Sequence, residues 1–325
     1  MDSSRIFDID DQKEFELRCL DVFHFQAASN PVYREFIHLL GRSAQGVQKL
    51  QDIPFLPIEF FKTKKVLSTT EKVVKTFTSS GTTGSIPSRH LITDLSMYEK
   101  SFTRGFELFY GSPGKYVILA LLPSYLQRGG SSLVYMAHSL IKMSGSEKSG
   151  FYLDELDDLA EILEELDRAG KKVLLLGVSY ALLDLVALKK FELSNTTVME
   201  TGGMKGRRKE MVREELHSEL KKGFGVDRIH SEYGMTELLS QAYSKGQGLF
   251  RSPPWMKIMV RDAEDPFHYL RPGQTGGVNV IDLANLNSCS FIATQDLGRL
   301  HEDGTFEILG RFDHSDIRGC NLMAV

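Results

Sequence analysis

The pattern of apolar and polar positions is helical over residues 11–40. Asp10 and Asp11 are placed to cap a first helix, Asn30-Pro31 supplies an N-cap and a pre-set first turn for a second, and Gly41 ends it. Residues 52–67 set two prolines among large apolar side chains, which favours an extended segment lying on the core, with Phe55, Phe60 and Phe61 buried. From about residue 73 strands and helices alternate. Short apolar runs at 73–77, 91–93, 116–122, 173–176, 197–201 and 226–230 predict strands. Helices are expected from a cap at Thr93 or Asp94 up to Phe109, then over 131–143, 154–169, 180–190 and 205–222, with Gly170 and Gly223 closing two of them. Buried strands separated by helices imply largely parallel sheets covered on both faces, an α/β architecture. After Phe250 the helical pattern fades into short alternating runs rich in Gly and Pro, which predicts a β-rich rim on the same domain.

Composition narrows the function classes. The chain has 325 residues, 42% of them apolar and 25% charged, with a formal charge of −4. An acidic balance argues against a dedicated nucleic-acid binder, which needs a basic face against phosphates. The three cysteines, Cys19, Cys289 and Cys320, are too few and too scattered for a disulfide framework or a zinc knuckle. Residues 116–122, the most apolar stretch, are far too short to span a bilayer. The first residues are broken by charge and carry no secretory pattern, so a soluble cytoplasmic protein is expected.

The sharpest local feature is the run Thr78-Ser79-Ser80-Gly81-Thr82-Thr83-Gly84-Ser85-Ile86-Pro87, in which six of ten residues are Ser or Thr. Hydroxyls and backbone N–H groups can wrap a phosphate, and glycine lets the main chain come close. It is not a Walker A loop, because no Gly-Lys-Ser/Thr follows at the required spacing. On composition alone a polar hairpin loop fits equally well. Farther on, Tyr233-Gly234-Met235-Thr236-Glu237 follows a predicted strand. A carboxylate at Glu237 beside the Thr236 hydroxyl suits a Mg²⁺–phosphate site, since magnesium takes oxygen ligands and few of them from protein. Asp296 in Thr-Gln-Asp-Leu-Gly and Arg311 in Gly-Arg-Phe-Asp are each ordinary turn residues taken singly.

As an ordered set, these segments resemble the adenylate-forming superfamily of acyl and aryl ligases. Thr78–Pro87 is similar to its phosphate loop, Tyr233–Glu237 to its Tyr-Gly-x-Thr-Glu motif, Asp296 to its ribose-binding aspartate, and Arg311 with Asp313 to its Gly-Arg-x-Asp hinge. Gly202-Gly203 resembles the Gly-Gly turn that flanks adenine in phenylacetate ligases. The resemblance covers roughly residues 50–320. Within the superfamily, Pro54-Phe55-Leu56-Pro57-Ile58 followed by Phe60-Phe61-Lys62 looks like the signature of the acyl-protein synthetase family of bacterial bioluminescence. The resemblance implies the large N-terminal domain of an adenylate-forming enzyme over residues 1–310, with 1–70 as its helical and extended entry, and without the usual small C-terminal domain. A hinge remnant and tail at 311–325 would carry Cys320. It also implies ATP and Mg²⁺ as cofactors, a fatty acid as substrate, and an acyl reductase as partner.

One departure concerns the cation. The superfamily's loop usually ends in Pro-Lys, whereas Pro87 is followed here by Ser88-Arg89, which makes Arg89 the candidate replacement. Implied roles are phosphate binding for Thr78, Ser79, Ser80, Gly81, Thr82, Thr83, Gly84 and Thr236, and metal binding for Glu237. Adenine and ribose would fall to Gly202, Gly203, Tyr233, Gly234, Asp296 and Arg311. Cys320 lies near Arg318, which favours its thiolate, and matches the family's acyl-accepting cysteine. Cys19 and Cys289 are read as packing. His230 is read either as a pocket residue or as a hydrogen-bonded core histidine. Three other readings stay open. Gly177-Val178-Ser179-Tyr180-Ala181 imitates a nucleophile elbow, so Ser179 with Asp296 and His301 would make a serine acyl hydrolase or transferase. The acyl acceptor could be coenzyme A, or the chain could be a non-catalytic nucleotide- or acyl-binding subunit.

Overall fold

A computed structural model describes residues 3–79, 86–123, 130–153, 155–202 and 211–312. Its helices are α1 (Gln12–Ser29), α2 (Pro31–Leu39), α3 (Phe60–Thr63), α4 (Leu95–Tyr110), α5 (Ser132–Ser144), α6 (Leu156–Arg168), α7 (Ser179–Leu188) and α8 (Arg213–Phe224). The strands are β1 (Leu56–Pro57), β2 (Lys75–Thr78), β3 (Arg89–Ile92), β4 (Val117–Leu121), β5 (Gly150–Tyr152), β6 (Val173–Val178), β7 (Thr196–Thr201) and β8 (His230–Tyr233). They continue with β9 (Ala242–Ser244), β10 (Phe250–Arg251), β11 (Met256–Arg261), β12 (Thr275–Asp282), β13 (Phe291–Leu300) and β14 (Phe306–Arg311).

Local chemistry sets most of these boundaries. The side chains of Asp11, Asn30 and Asp94 each accept a backbone N–H in the first turn of α1, α2 and α4. Pro31 occupies the first turn of α2, where its missing N–H costs nothing. Every residue of β4 and β6 is buried, as strands covered by helices on both faces must be.

One large sheet runs in the order β11-β12-β13-β14-β10-β9-β8-β7-β6-β4-β5, with β1 added beside β13, while β2 and β3 form a separate hairpin. The half from β5 to β8 is parallel, and every pairing from β8 onward along that order is antiparallel. The sheet changes character at β8. The carboxyl end of that strand lies beside that of its parallel neighbour β7, on the edge of the sheet at which open α/β sheets bind ligands.

Three expectations are corrected. The strand placed at 226–230 is β8, shifted so that Tyr233 lies inside it. The helix expected over 205–222 is described from Arg213, and it ends at Gly225 (φ 67°), not at Gly223. Gly223 is a helical residue packed on α7, where an added Cβ would lie 2.4 Å from Val186 Cβ. Residues 52–67 are not one extended segment, because β1 is followed directly by α3. Phe55 and Phe61 are buried as expected, and so are Cys19 and Cys289. Phe60 is half-buried against the same core.

Candidate active site

At the end of β8 the Tyr233 hydroxyl donates to Asp296 Oδ2 at 2.7 Å. Asp296 is brought there by β13, where it stands opposite Arg311 of β14, and Arg311 Nε reaches Asp296 Oδ1 at 3.2 Å. The Asp296 amide is fixed by Thr294 Oγ1 at 3.1 Å. Tyr233 also packs edge-on against Phe250 and Phe306, so its ring has one available direction. Burial first, and then the neighbouring Asp296 charge, holds the phenol protonated. Three residues from distant parts of the chain thus form one chain of contacts. The Arg311 side chain is largely exposed, so the ion pair orients more than it stabilises.

The turn after Tyr233 carries the acid. Gly234 packs tightly there, since an added Cβ would meet Glu232 Oε1 at 2.4 Å and displace that side chain. Glu237 is 5% exposed and lies beside the Ser88 hydroxyl, which favours its charged form. Burial pushes its carboxyl up, opposed by that hydroxyl and by the charges of Arg311 and Lys62. Ser88 belongs to the far flank of the Ser/Thr/Gly run. Its amide donates to Ser79 Oγ at 2.9 Å, and the Ser79 amide donates back to the Ser88 carbonyl at 3.1 Å. The base of the hydroxyl-rich loop is therefore closed by a serine pair, and one member of that pair lies beside Glu237. The Thr78 amide donates to the Gly130 carbonyl at 2.8 Å.

Three further residues grip the turn and its continuation. His90 Nδ1 lies 2.9 Å from the Thr236 carbonyl oxygen, and His90 Nε2 lies 2.8 Å from Ser288 Oγ. Burial lowers the His90 imidazole to about 4. Asn285 donates from Nδ2 to the Glu237 carbonyl at 2.8 Å. Asp282 accepts from the amides of Leu239 and Ser240, both at 2.9 Å, and from Ser240 Oγ at 2.6 Å. Burial raises the Asp282 carboxyl against these bonds.

Of the residues singled out from sequence, Tyr233, Gly234, Thr236, Glu237, Asp296 and Arg311 come together with Ser79 at the loop base. Arg89 is exposed at the start of β3, opposite Thr78 and on the strand face away from His90. Gly202 (φ 71°) follows β7, and its carbonyl lies 3.0 Å from Ser179 Oγ. Ser80, Gly81, Thr82, Thr83, Gly84, Gly203, Asp313 and Cys320 lie outside the described residues. Among the described residues no three His, Cys, Asp or Glu side chains form a metal cluster. Glu237 offers carboxylate oxygens, the kind of donor that Mg²⁺ would take from protein beside a triphosphate and water.

The nucleophile-elbow reading is corrected. Ser179 is buried, and its Oγ also lies 3.2 Å from Glu200 Oε2, while His301 is 3.1 Å from Glu307 and Asp296 serves Tyr233 and Arg311. No Ser–His pair forms among these residues. His230 is a half-buried residue bonded to the Tyr110 hydroxyl at 3.1 Å. Ser88, His90, Asp282, Asn285 and Lys62 escaped the sequence reading. Only Lys62 carried a signal, since it closes the Phe60-Phe61-Lys62 signature that reads locally as core.

Comparison with known proteins decides the family. The family model described as acyl-protein synthetase, LuxE, matches residues 3–324. The chain belongs to the acyl-protein synthetase (LuxE) family. Membership in the LuxE family makes it an acid–thiol ligase that activates a fatty acid and passes the acyl group on. The long-chain-fatty-acid–luciferin-component ligase of Vibrio harveyi is 24% identical over 347 aligned positions, covering 99% of this chain and 90% of that protein. Among solved structures, an open form of 2-hydroxyisobutyryl-CoA ligase, in complex with its acyl-AMP and CoA, shares the fold at TM-score 0.66 and 14% identity, over 93% of this chain and 70% of that one. ATP-bound MatB from Rhodopseudomonas palustris matches at TM-score 0.56 and 16% identity over 75% of this chain. The match covers 49% of the MatB chain, so this acyl-protein synthetase corresponds to about half of it. No helix among the described residues is long and apolar enough to cross a membrane.

Proposed function

We propose that the protein forms an acyl-adenylate at the turn around Glu237 and then transfers the acyl group to Cys320. In the first step an oxygen of the fatty carboxylate attacks the α-phosphorus of ATP, and the bond to the bridging oxygen breaks to release pyrophosphate. In the second the Cys320 thiolate attacks the acyl carbonyl, a thioester forms, and AMP leaves with the electron pair of the broken C–O bond. Thr78, Ser79, Ser80, Gly81, Thr82, Thr83 and Gly84 would cradle the phosphates, with Arg89 as the cation at the loop's mouth. Asp296 and Arg311 would hold the ribose, and Gly202, Gly203, Tyr233 and Gly234 would flank adenine. Glu237, with Thr236, would hold Mg²⁺, which neutralises phosphate charge when bound. A tethered thiol makes the second step effectively unimolecular. An acyl reductase would then collect the chain.

The observation that carries this reading is that the hairpin closed by Ser79 and Ser88 is bonded through His90 to the Thr236 carbonyl, next to the buried Glu237. ATP–pyrophosphate exchange across acids of short to long chain, with aromatic acids included, tests it. Exchange that depends on a long-chain acid is the expected result, and no exchange with any acid sinks it. Cys320→Ala is expected to keep exchange but retain no radioactive acyl group. Stable labelling of that variant overturns the tail assignment, and its thiol-dependent release of acyl-CoA would make coenzyme A the acceptor.

A further inference from the structure

The hairpin of β2 and β3 bears the phosphate loop yet belongs to no larger sheet. A two-stranded ribbon is marginal by itself, so what it packs on decides where it sits. Its inward positions on β3 are His90 and Ile92, and His90 is 1% exposed. A carbonyl oxygen only accepts, so His90 Nδ1 carries the hydrogen it shares with Thr236. Nε2 is then bare and accepts from the Ser288 hydroxyl. The ring is held edge-on by Phe61 with centroids 5.5 Å apart. Two residues earlier, just before β3, the Ser88 hydroxyl lies beside the Glu237 carboxyl and favours its charge. The hairpin thus holds the acid turn at the carbonyl before Glu237. From the other side Asn285 and Asp282 hold that turn to the end of β12.

We propose that His90 is a positioning residue that sets the register of the β2–β3 hairpin against the Glu237 turn through its Nδ1–H bond to the Thr236 carbonyl. The role rests on the adenylation reading above. A plain core residue of similar size would fill the space beneath Phe61 but leave a turn carbonyl without its donor. The fixed hydrogen-bond direction sets the register between hairpin and acid turn, which a hydrophobic contact leaves free to slide.

Asparagine and glutamine separate the two nitrogens, because an Asn amide can donate from near the Nδ1 position and a Gln amide reaches that of Nε2. The measurement is ATP–pyrophosphate exchange, with kcat and KM for ATP resolved, beside thermal unfolding. His90→Asn is expected within about threefold of the parent in kcat/KM. His90→Gln is expected to lose on the order of 30- to 100-fold, the scale of an ångström of misplacement in a reacting site. Ser288→Ala, which removes the Nε2 partner and the long bond of the same hydroxyl to the Asn285 carbonyl at 3.4 Å but leaves the Nδ1–H bond to Thr236, is expected to lower the unfolding temperature while exchange stays within about threefold, the tolerance set for the Asn variant. Equal activity losses in His90→Asn and His90→Gln, tracking their losses of stability, would overturn the proposal. So would a Ser288→Ala loss as large as that of His90→Gln, which decides the matter if the Gln variant fails to fold. Absence of exchange in the parent protein is a separate outcome and strikes the adenylation reading itself.

Discussion

Glu200 and Glu237 are each 5% exposed, yet their environments push them in opposite directions. Burial raises both carboxyls. At Glu200 it is outweighed by a hydrogen bond from His217 and the charge of Arg213, whose Nη1 lies 2.9 Å away, and the group ends below its usual range. At Glu237 the Ser88 hydroxyl and the charges of Arg311 and Lys62 do not offset burial, and the group ends above it. Glu200 is a finished network that joins β7, α7 and α8 through Ser179 and Arg213. Glu237 is a buried acid with no ion pair among the described residues, lying beside Ser88 at the edge of the hairpin. Desolvation without a full set of partners marks a working acid, whereas a satisfied buried pair marks structure.

Paired substitutions put this contrast at risk. Glu237→Gln is expected to reduce ATP–pyrophosphate exchange by roughly a hundred- to a thousandfold, the scale of removing one electrostatic contact to the transition state, without lowering the unfolding temperature. Glu200→Gln is expected to do the reverse. It should cost about 2–3 kcal/mol in urea unfolding, toward the low end for a broken buried pair because Arg213 is partly exposed, with exchange reduced less than tenfold in what remains folded. If Glu200→Gln removed exchange and left stability intact, the assignments would be exchanged.

Stability measured against pH sharpens the same pair. The folded carboxyl of Glu200 is lowered, so its contribution is present above the unfolded value of 4.5 and is lost as pH falls below it. The folded carboxyl of Glu237 is raised, so its contribution is present below 4.5 and is lost as pH rises from there. Urea unfolding between pH 3 and 7 should show Glu200→Gln flattening the acid-side decline relative to the parent, and Glu237→Gln steepening the rise of stability with pH. Curves that shift in parallel would remove the distinction. The smallest effect is expected from Ser179→Ala. Losing a hydroxyl shared between Glu200 and Gly202 should cost on the order of 1 kcal/mol, and neither parent nor variant should react with a fluorophosphonate.

Much of the fold was legible along the chain because its causes are local. Asp11, Asn30 and Asp94 cap helices within three residues of themselves, and the apolar runs of β4 and β6 announce burial on both faces. The hydroxyl-rich loop and Tyr233-Gly234-Met235-Thr236-Glu237 were legible for the same reason, since each is a contiguous run. The end of α8 was misread by two residues because Gly223 serves a contact with Val186 on another helix, and no local rule separates a packing glycine from a capping one. Ser179 misled in a similar way. A serine at a strand–helix turn looks like a nucleophile until Glu200 and Gly202 are seen to occupy it.

By itself the sequence determined the alternation of helices and strands, the acidic character of the chain and the residue types that handle phosphate. The tertiary structure alone decided that β8 is where the sheet turns from parallel to antiparallel, that Asp296 serves Tyr233, and that Ser88 and His90 meet the Glu237 turn. The reason is that a cap or a strand follows from neighbours a few residues away. The partner of a buried polar group, by contrast, is whatever the whole chain's packing carries to it: 63 residues separate Tyr233 from Asp296, and 146 separate His90 from Thr236.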